Sequence, residues 1–534
     1  MTDDLRQRQQ LLKIGTARAG RGVAGVASLT APLDTLLPPV EASAPEAALW
    51  MSLGALDLWE RSGFLPPVGS ASPAASPAAE PAPPEQLRPC PARAKAMLAL
   101  LLRGGHPPAL QSEWLRLLQR HGAHLPAQFL PRLLDTATRQ PALRAQLLPV
   151  LGERGRWLAG VQAEWGWALG GAAAGDVEDE AAWDTGSPEQ RLTVLRAWRA
   201  RDAGAARAAL AAAWPSEAPE QRAALLPALA VGLGLDDEAF LEAALDDRRK
   251  EVRAAAQRLL ACLPGSQLGQ RMLARLLPLL RLEKPWLGKA RLELTLPAAC
   301  DASMRRDGIG ATPHPGMGEK AGWAVDMLAA VDPRVWTRQF APTPLACLAL
   351  AGHSEFAGVL VRGWSLAALR HAEAAASEAD PPPELLAWPY DLALWWIGAG
   401  QALRDAVPDA LFDLVARRFH LDTGGTGSAL LDAFPRTWQD DPALVQLLHR
   451  LAEKSPDTWT PRLSRHMLQR LQAAQPALLL PAFARIVDPA TAAGFEMAWR
   501  AGLGADSQWR TRVDHFFDLV RVRHEMILSF QEPA

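Results

Sequence analysis

A single repeat register constrains this chain more than any other feature. Glu189-Gln190-Arg191 returns as Glu220-Gln221-Arg222 and again as Glu251-Val252-Arg253, each copy 31 residues after the last. The apolar positions keep step: Val194, Leu225 and Ala256 align, as do Trp198, Leu229 and Leu260. Later in each unit Leu210, Leu241 and Met272 align, followed four residues on by Trp214, Leu245 and Leu276. Positions four apart share a helix face, so each unit carries two apolar helical stripes. A helix pair repeated at a period of roughly 20–50 residues buries those stripes against its next copy. The expectation is an all-α fold, a HEAT-like α-solenoid of stacked antiparallel helix pairs. Ser187, Pro188 and Gln190 open the first copy with the N-cap, N1 and N3 residues of a capping box.

The remaining bounds are coarser. A chain of 534 residues exceeds one compact core, which stops growing near roughly 250–300 residues. With 49% hydrophobic and 21% charged residues the composition is globular. A formal net charge of −2 disfavours a general nucleic-acid or anionic-membrane binder, leaving room for a local basic groove. One Tyr stands against 20 Trp, and seven of the 56 basic residues are Lys; with the Ala and Pro excess this fits a GC-rich bacterial genome. Cys90, Cys262, Cys300 and Cys347 match no metal or redox spacing and read as buried free thiols in a reducing cytoplasm. The acidic N-terminus has no apolar signal-peptide region, and the longest apolar run, Ala223–Leu235, is too short for a bilayer and contains Pro227. A soluble, cytoplasmic protein is expected.

Along the chain, Leu5–Ala17 and Pro45–Trp59 read as helices within an N-terminal segment, residues 1–65. Residues 66–91 are almost entirely Pro, Ala, Ser, Gly and Glu and read as a flexible linker. Helical repeats are expected over 92–283, with a Gly/Ala/acidic loop at Gly170–Glu180. An irregular, loop-rich insertion comes next over 284–323, in which Arg291–Leu296 alternates like a short extended segment. A C-terminal helical region fills 324–534, ending in a helix near Ser507–Phe530.

No constellation specifies a chemistry. The glycine-rich stretch around Gly308–Lys320 is not a P-loop, because Lys320 sits between Glu319 and Ala321 instead of after Gly and before Ser or Thr. Gly308 and Gly310 lack the third glycine of a dinucleotide fingerprint. His121 and His124 flank Gly122-Ala123 at a helix end rather than a metal face. Asp307, His314 and Glu319 can be assembled on paper into an acid/base set, though their spacing does not demand it. Neither a catalytic residue, a metal nor a cofactor is called for. The column Arg191, Arg222 and Arg253 reads as an inter-repeat ladder with Asp or Glu, or as a groove for an acidic partner or phosphate backbone. The loop carrying Arg305, Arg306, Asp307, His314, Glu319 and Lys320 reads as a partner-docking surface.

Leu245-Asp246-Asp247-Arg248-Arg249-Lys250-Glu251-Val252-Arg253 resembles the HEAT repeat, which places Asp in the turn between helices and Val-Arg early in the second helix. Together with Leu11–Arg18, Leu241–Ser266, Arg306-Asp307-Gly308-Ile309 and Gly316–Trp323, it resembles a bacterial helical-repeat family of unknown function. Members of that family tend to be encoded beside MoxR-type AAA ATPases, von Willebrand A-domain proteins and SWIM zinc-finger proteins. The resemblance implies a non-enzymatic scaffold or adaptor whose partners include a MoxR-type AAA ATPase and a von Willebrand A-domain protein. The alternative is a nucleic-acid-binding HEAT-like protein with base-processing activity. A cryptic hydrolase ranks third.

Overall fold

The computed structural model describes residues 81–169, 183–375, 383–476, 478–501 and 507–531, with Trp50, Leu53, Gly54 and Leu58 nearer the N-terminus. The Leu5–Ala17 helix, most of Pro45–Trp59, the linker up to Glu80 and the Gly170–Glu180 loop lie outside the described residues. Contacts divide the chain into two units, Met1–Pro81 and Ala82–Ala534. The regular structure of the second unit, where described, is helical apart from one two-stranded sheet. No described helix is long and apolar enough to cross a membrane.

The second unit begins with helices α1 (Ala92–Arg103), α2 (Pro108–Arg120), α3 (Leu130–Arg139) and α4 (Gly152–Val161). The last residues of the expected linker are packed onto them. Glu85 accepts hydrogen bonds from the backbone N–H groups of Glu153 (2.8 Å) and Arg154 (2.9 Å), satisfying orphan donors in the first turn of α4. Arg88 exchanges backbone hydrogen bonds with Gly122 and His124. The linker boundary expected at Pro91 is therefore corrected: the chain is anchored from Glu85 onward.

Six helices span the repeat: α5 (Pro188–Arg201), α6 (Ala203–Ala213), α7 (Pro219–Leu225), α8 (Glu238–Ala244), α9 (Lys250–Cys262) and α10 (Gln267–Leu276). The leading helices start 31 residues apart and pack in succession, α5 on α7 and α7 on α9. Leu225, Leu229, Leu241, Leu260 and Leu276 are fully buried, as the shared register requires. Helix α7 gives way to a 3₁₀ turn at Leu226–Ala230, where Pro227 has no N–H for the α-helical ladder. Ser187 and Gln190 form the capping box.

Two of the three arginines in the column, Arg191 and Arg222, form the expected ladder, and Arg253 does not. Arg191 donates to Glu217, and Arg222 to Asp247 at 2.9 Å, each acid lying in the turn before the next unit's leading helix. Arg253 donates to the carbonyls of Asp247 (2.8 Å) and Arg248 (2.9 Å). Arg191 and Arg222 also lie over the rings of Trp183 (4.5 Å) and Trp214 (5.7 Å), themselves one repeat apart.

After α10, strands β1 (Leu280–Glu283) and β2 (Arg291–Leu294) pair antiparallel, Leu280 opposite Leu294 and Leu282 opposite Leu292. The extended segment expected at Arg291 is thus half of a hairpin. Next come α11 (Ala302–Arg306), α12 (Glu319–Ala329), α13 (Pro344–Gly352), α14 (Ala357–Ala375), α15 (Pro383–Gly398), α16 (Asp409–Phe419), α17 (Pro442–Lys454), α18 (Pro461–Ala474) and α19 (Ser507–Leu528). Helix α14 packs on α9 and α12, and α10 packs on α12, so the divisions expected at 283/284 and 323/324 do not separate packed bodies. Gly363 sits at the tightest crossing, where a Cβ would stand 2.3 Å from Leu328 Cβ.

The last helix returns to the first. Helix α19 packs on α2, where Trp114 and Phe530 rings lie 5.5 Å apart. Arg523, with no side-chain exposure, donates to Glu113 at 2.8 Å and to the carbonyls of Ala484 (3.0 Å) and Val487 (2.7 Å). In an open array each unit meets only its neighbours; here residues 113 and 523 share a buried ion pair.

Candidate functional site

Helix α11 is capped by Asp301, whose Oδ1 accepts from Met304 N at 2.8 Å, and ends at Arg306. The chain then turns through Gly308 (φ +95°) and Gly310 (φ +77°), left-handed conformations that exclude most side chains. This turn points Asp307 inward. Its carboxylate is 2% exposed and accepts from Arg271 Nε (3.0 Å) and Nη2 (2.7 Å) and from Arg275 Nη1 (2.7 Å). Burial pushes the Asp307 carboxyl up, but the two guanidinium groups outweigh it and hold it below its ordinary value. Arg306 reaches the other way, donating to Asp246 (2.7 and 2.9 Å) and to the Glu242 carbonyl (3.1 Å). Gln257 Nε2 holds the Arg306 carbonyl at 2.9 Å.

The far end of the loop is tied by a second acid. Asp326, in α12, accepts from Gly310 N and pairs with His314 Nε2, both at 2.8 Å. Burial raises the Asp326 pKa despite both contacts. Of the six residues expected to dock a partner, Arg306 and Asp307 are committed to internal ion pairs and His314 to Asp326. Only Arg305, Glu319 and Lys320 are exposed. The expectation that Arg306 and Asp307 form a free docking surface is corrected for this reason: the loop braces α8, α9 and α10 together. The paper acid/base set is not assembled either, because Asp307 is saturated by arginines and Glu319 faces solvent in the first turn of α12.

Beside the loop lies a cavity of about 610 Å³ between α9, α10, α12 and α14. Its walls mix Leu268, Met272 and Leu366 with Arg258, Arg362 and Arg370. A sequence signal for the last two existed: Arg362, Leu366 and Arg370 recur every four residues along one face of α14.

The tip of the hairpin is a second feature that the motif search did not single out. Trp286 is 96% and Leu287 81% exposed, between exposed Lys284 and Lys289. Leu280-Arg281-Leu282-Glu283 and Arg291-Leu292-Glu293-Leu294 bracket a Pro/Gly-containing turn, a legible hairpin pattern.

The other candidates have local roles. His121 faces the Phe530 ring, and His124 Nδ1 lies 3.0 Å from the Leu125 carbonyl. The four cysteines are free; Cys347 is buried and the others half-buried, and burial pushes the Cys90 thiol up to about 12 and that of Cys347 to about 11.

Helices packed around a shared apolar core, with a single two-stranded sheet among the described residues, define an all-α protein. The chain belongs to a family of unknown function, DUF5691, which matches residues 9–530. No curated protein and no solved structure matches it.

Proposed function

We propose that this chain is a non-enzymatic protein-interaction scaffold, with HEAT-like stacking over residues 188–276, whose docking element is the tip of the β1–β2 hairpin. The observation that carries the reading is the 96% exposure of Trp286. Burying such a side chain on a partner removes roughly 150–250 Å² of largely apolar surface from water, a gain that the costs of association reduce to a hot-spot contribution of about 2 kcal/mol or more. Trp is the residue most enriched among interface hot spots, and Lys284 and Lys289 beside it favour an apolar pocket with an acidic rim. The resemblance makes a MoxR-type AAA ATPase the leading candidate partner and a von Willebrand A-domain protein the second.

The test places a photo-crosslinking amino acid at position 286 in the native host, with the same label at exposed Arg139 as control. The expected result is one protein adduct specific to position 286. With that protein purified, Trp286→Ala should raise Kd about 30-fold or more. Adducts identical to the control, or an unchanged Kd, sink the hairpin reading. Crosslinking to nucleic acid moves the reading to the nucleic-acid-binding alternative, and capture of lipid to a membrane contact.

A further inference from the structure

Many half-buried arginines of this chain pair directly with carboxylates, among them Arg191, Arg222 and Arg404. Around the loop, Arg271, Arg275 and Arg306 all pair with carboxylates within 3.0 Å. The three that line the adjoining cavity, half-buried Arg362 and Arg370 and exposed Arg258, have no carboxylate within hydrogen-bond distance. Among the described residues Arg258 makes neither a hydrogen bond nor an ion pair. Arg362 has only a long contact, 3.5 Å, to the Ala406 carbonyl. Arg370 donates one N–H to the Ala329 carbonyl at 2.9 Å, which fixes its guanidinium while leaving its other donors open. Burial lowers the Arg370 pKa, and the neighbouring Arg258 charge lowers it further, although Cys262 and Asp326 oppose the shift.

The carboxylates that also line the cavity are engaged elsewhere. Asp307 is held by Arg271 and Arg275, Asp326 by Gly310 N and His314, and Glu251 lies on the exposed rim beside Lys250. Asp326 offsets part of the charge, but no carboxylate hydrogen-bonds to any of the three arginines, and like charges gathered without such partners cost stability, as at a site kept for a ligand. Guanidinium forks match phosphate oxygens bidentately. The volume, about 610 Å³, falls within the range of small-molecule sites, and the Leu268, Met272 and Leu366 wall suits an apolar body.

We propose that the cavity between α9 and α14 binds a small organic phosphate, its phosphoryl group held by Arg258, Arg362 and Arg370 and its apolar portion laid against Leu268, Met272 and Leu366. The site is independent of the hairpin.

Calorimetric titration of the full chain with phenyl phosphate and with inorganic phosphate tests this. Saturable binding is expected, tighter for phenyl phosphate because of the apolar wall. Arg258→Gln and Arg362→Gln should each weaken it about tenfold or more. Both side chains reach solvent, so the variants should fold. Unliganded R258Q should melt at or above the wild-type temperature at low salt, since it relieves like-charge repulsion. The proposal is overturned by absence of saturable binding of either probe, by binding unchanged in both variants, or by a lower melting temperature of unliganded R258Q, which assigns the arginine to structure. Tighter binding of a single-stranded oligonucleotide than of phenyl phosphate, lost in the same variants, overturns it in favour of nucleic acid.

Discussion

Replacing Asp307 by Ala removes the acceptor for three hydrogen bonds from two arginines, at 2.7–3.0 Å. Breaking a fully buried ion pair costs about 3–5 kcal/mol, because the surviving charge is stranded. Here the survivors are partly solvated: the Arg271 and Arg275 side chains are 32% and 22% exposed. Arg271 also keeps Glu242, at 3.0 Å. Discounting for that solvent access gives an expected loss of about 2–4 kcal/mol. Urea titration of wild type and D307A at pH 7, read as the shift in midpoint, measures it. Asp307→Asn separates charge from shape and should lose most of the same amount. The pH dependence gives a second handle. The folded-state pKa of Asp307 is depressed, so its contribution is present above the unfolded value of about 3.9 and is lost as pH falls through the folded value. The difference between wild type and D307N should therefore shrink below about pH 4. A D307A protein within about 0.5 kcal/mol of wild type at pH 7 would refute the brace and return this loop to the surface.

Three further outcomes rest on the same packing. His371 is buried with neither ring nitrogen partnered, and burial lowers its pKa to about 4. Stability held by the neutral ring should be lost as pH falls from about 6.5 to 4, up to about 3 kcal/mol, and His371→Leu should flatten that slope in pH-dependent urea titrations. Arg523→Met strands Glu113 and should cost about 3–5 kcal/mol, with amide exchange accelerating in both α2 and α19. Leu260→Ala should cost about 2–5 kcal/mol in denaturant midpoint, whereas Ala at exposed Lys250 should stay within about 0.5 kcal/mol.

How much of the fold the sequence discloses depends on range. The 31-residue register is local information, because each helix face is defined by residues three and four apart and each unit meets the next. The ladder was legible for the same reason: Arg191 and Arg222 find their acids 26 and 25 residues on, within one repeat. The Glu113–Arg523 pair, 410 residues apart, leaves no periodic trace, so the return of α19 to α2 could not be read in advance.

The loop makes the same point about function. Its charge density was visible, and an exposed docking surface is the default for charges in a Gly/Pro-rich stretch. What decides otherwise is that Arg271 and Arg275 lie one turn apart on α10, 36 and 32 residues earlier, on the face that meets Asp307. Once those partners are in place, charge density ceases to mark the site, and unpaired charge takes over that role. The spacing of Arg362 and Arg370 puts them on one face of α14, but nothing local joins Arg258 to them, and only the fold brings all three to one cavity. Trp286 is the apolar counterpart, a side chain that the hairpin lifts 96% into solvent. Both departures run against what stability alone would select, and they are where function is to be sought.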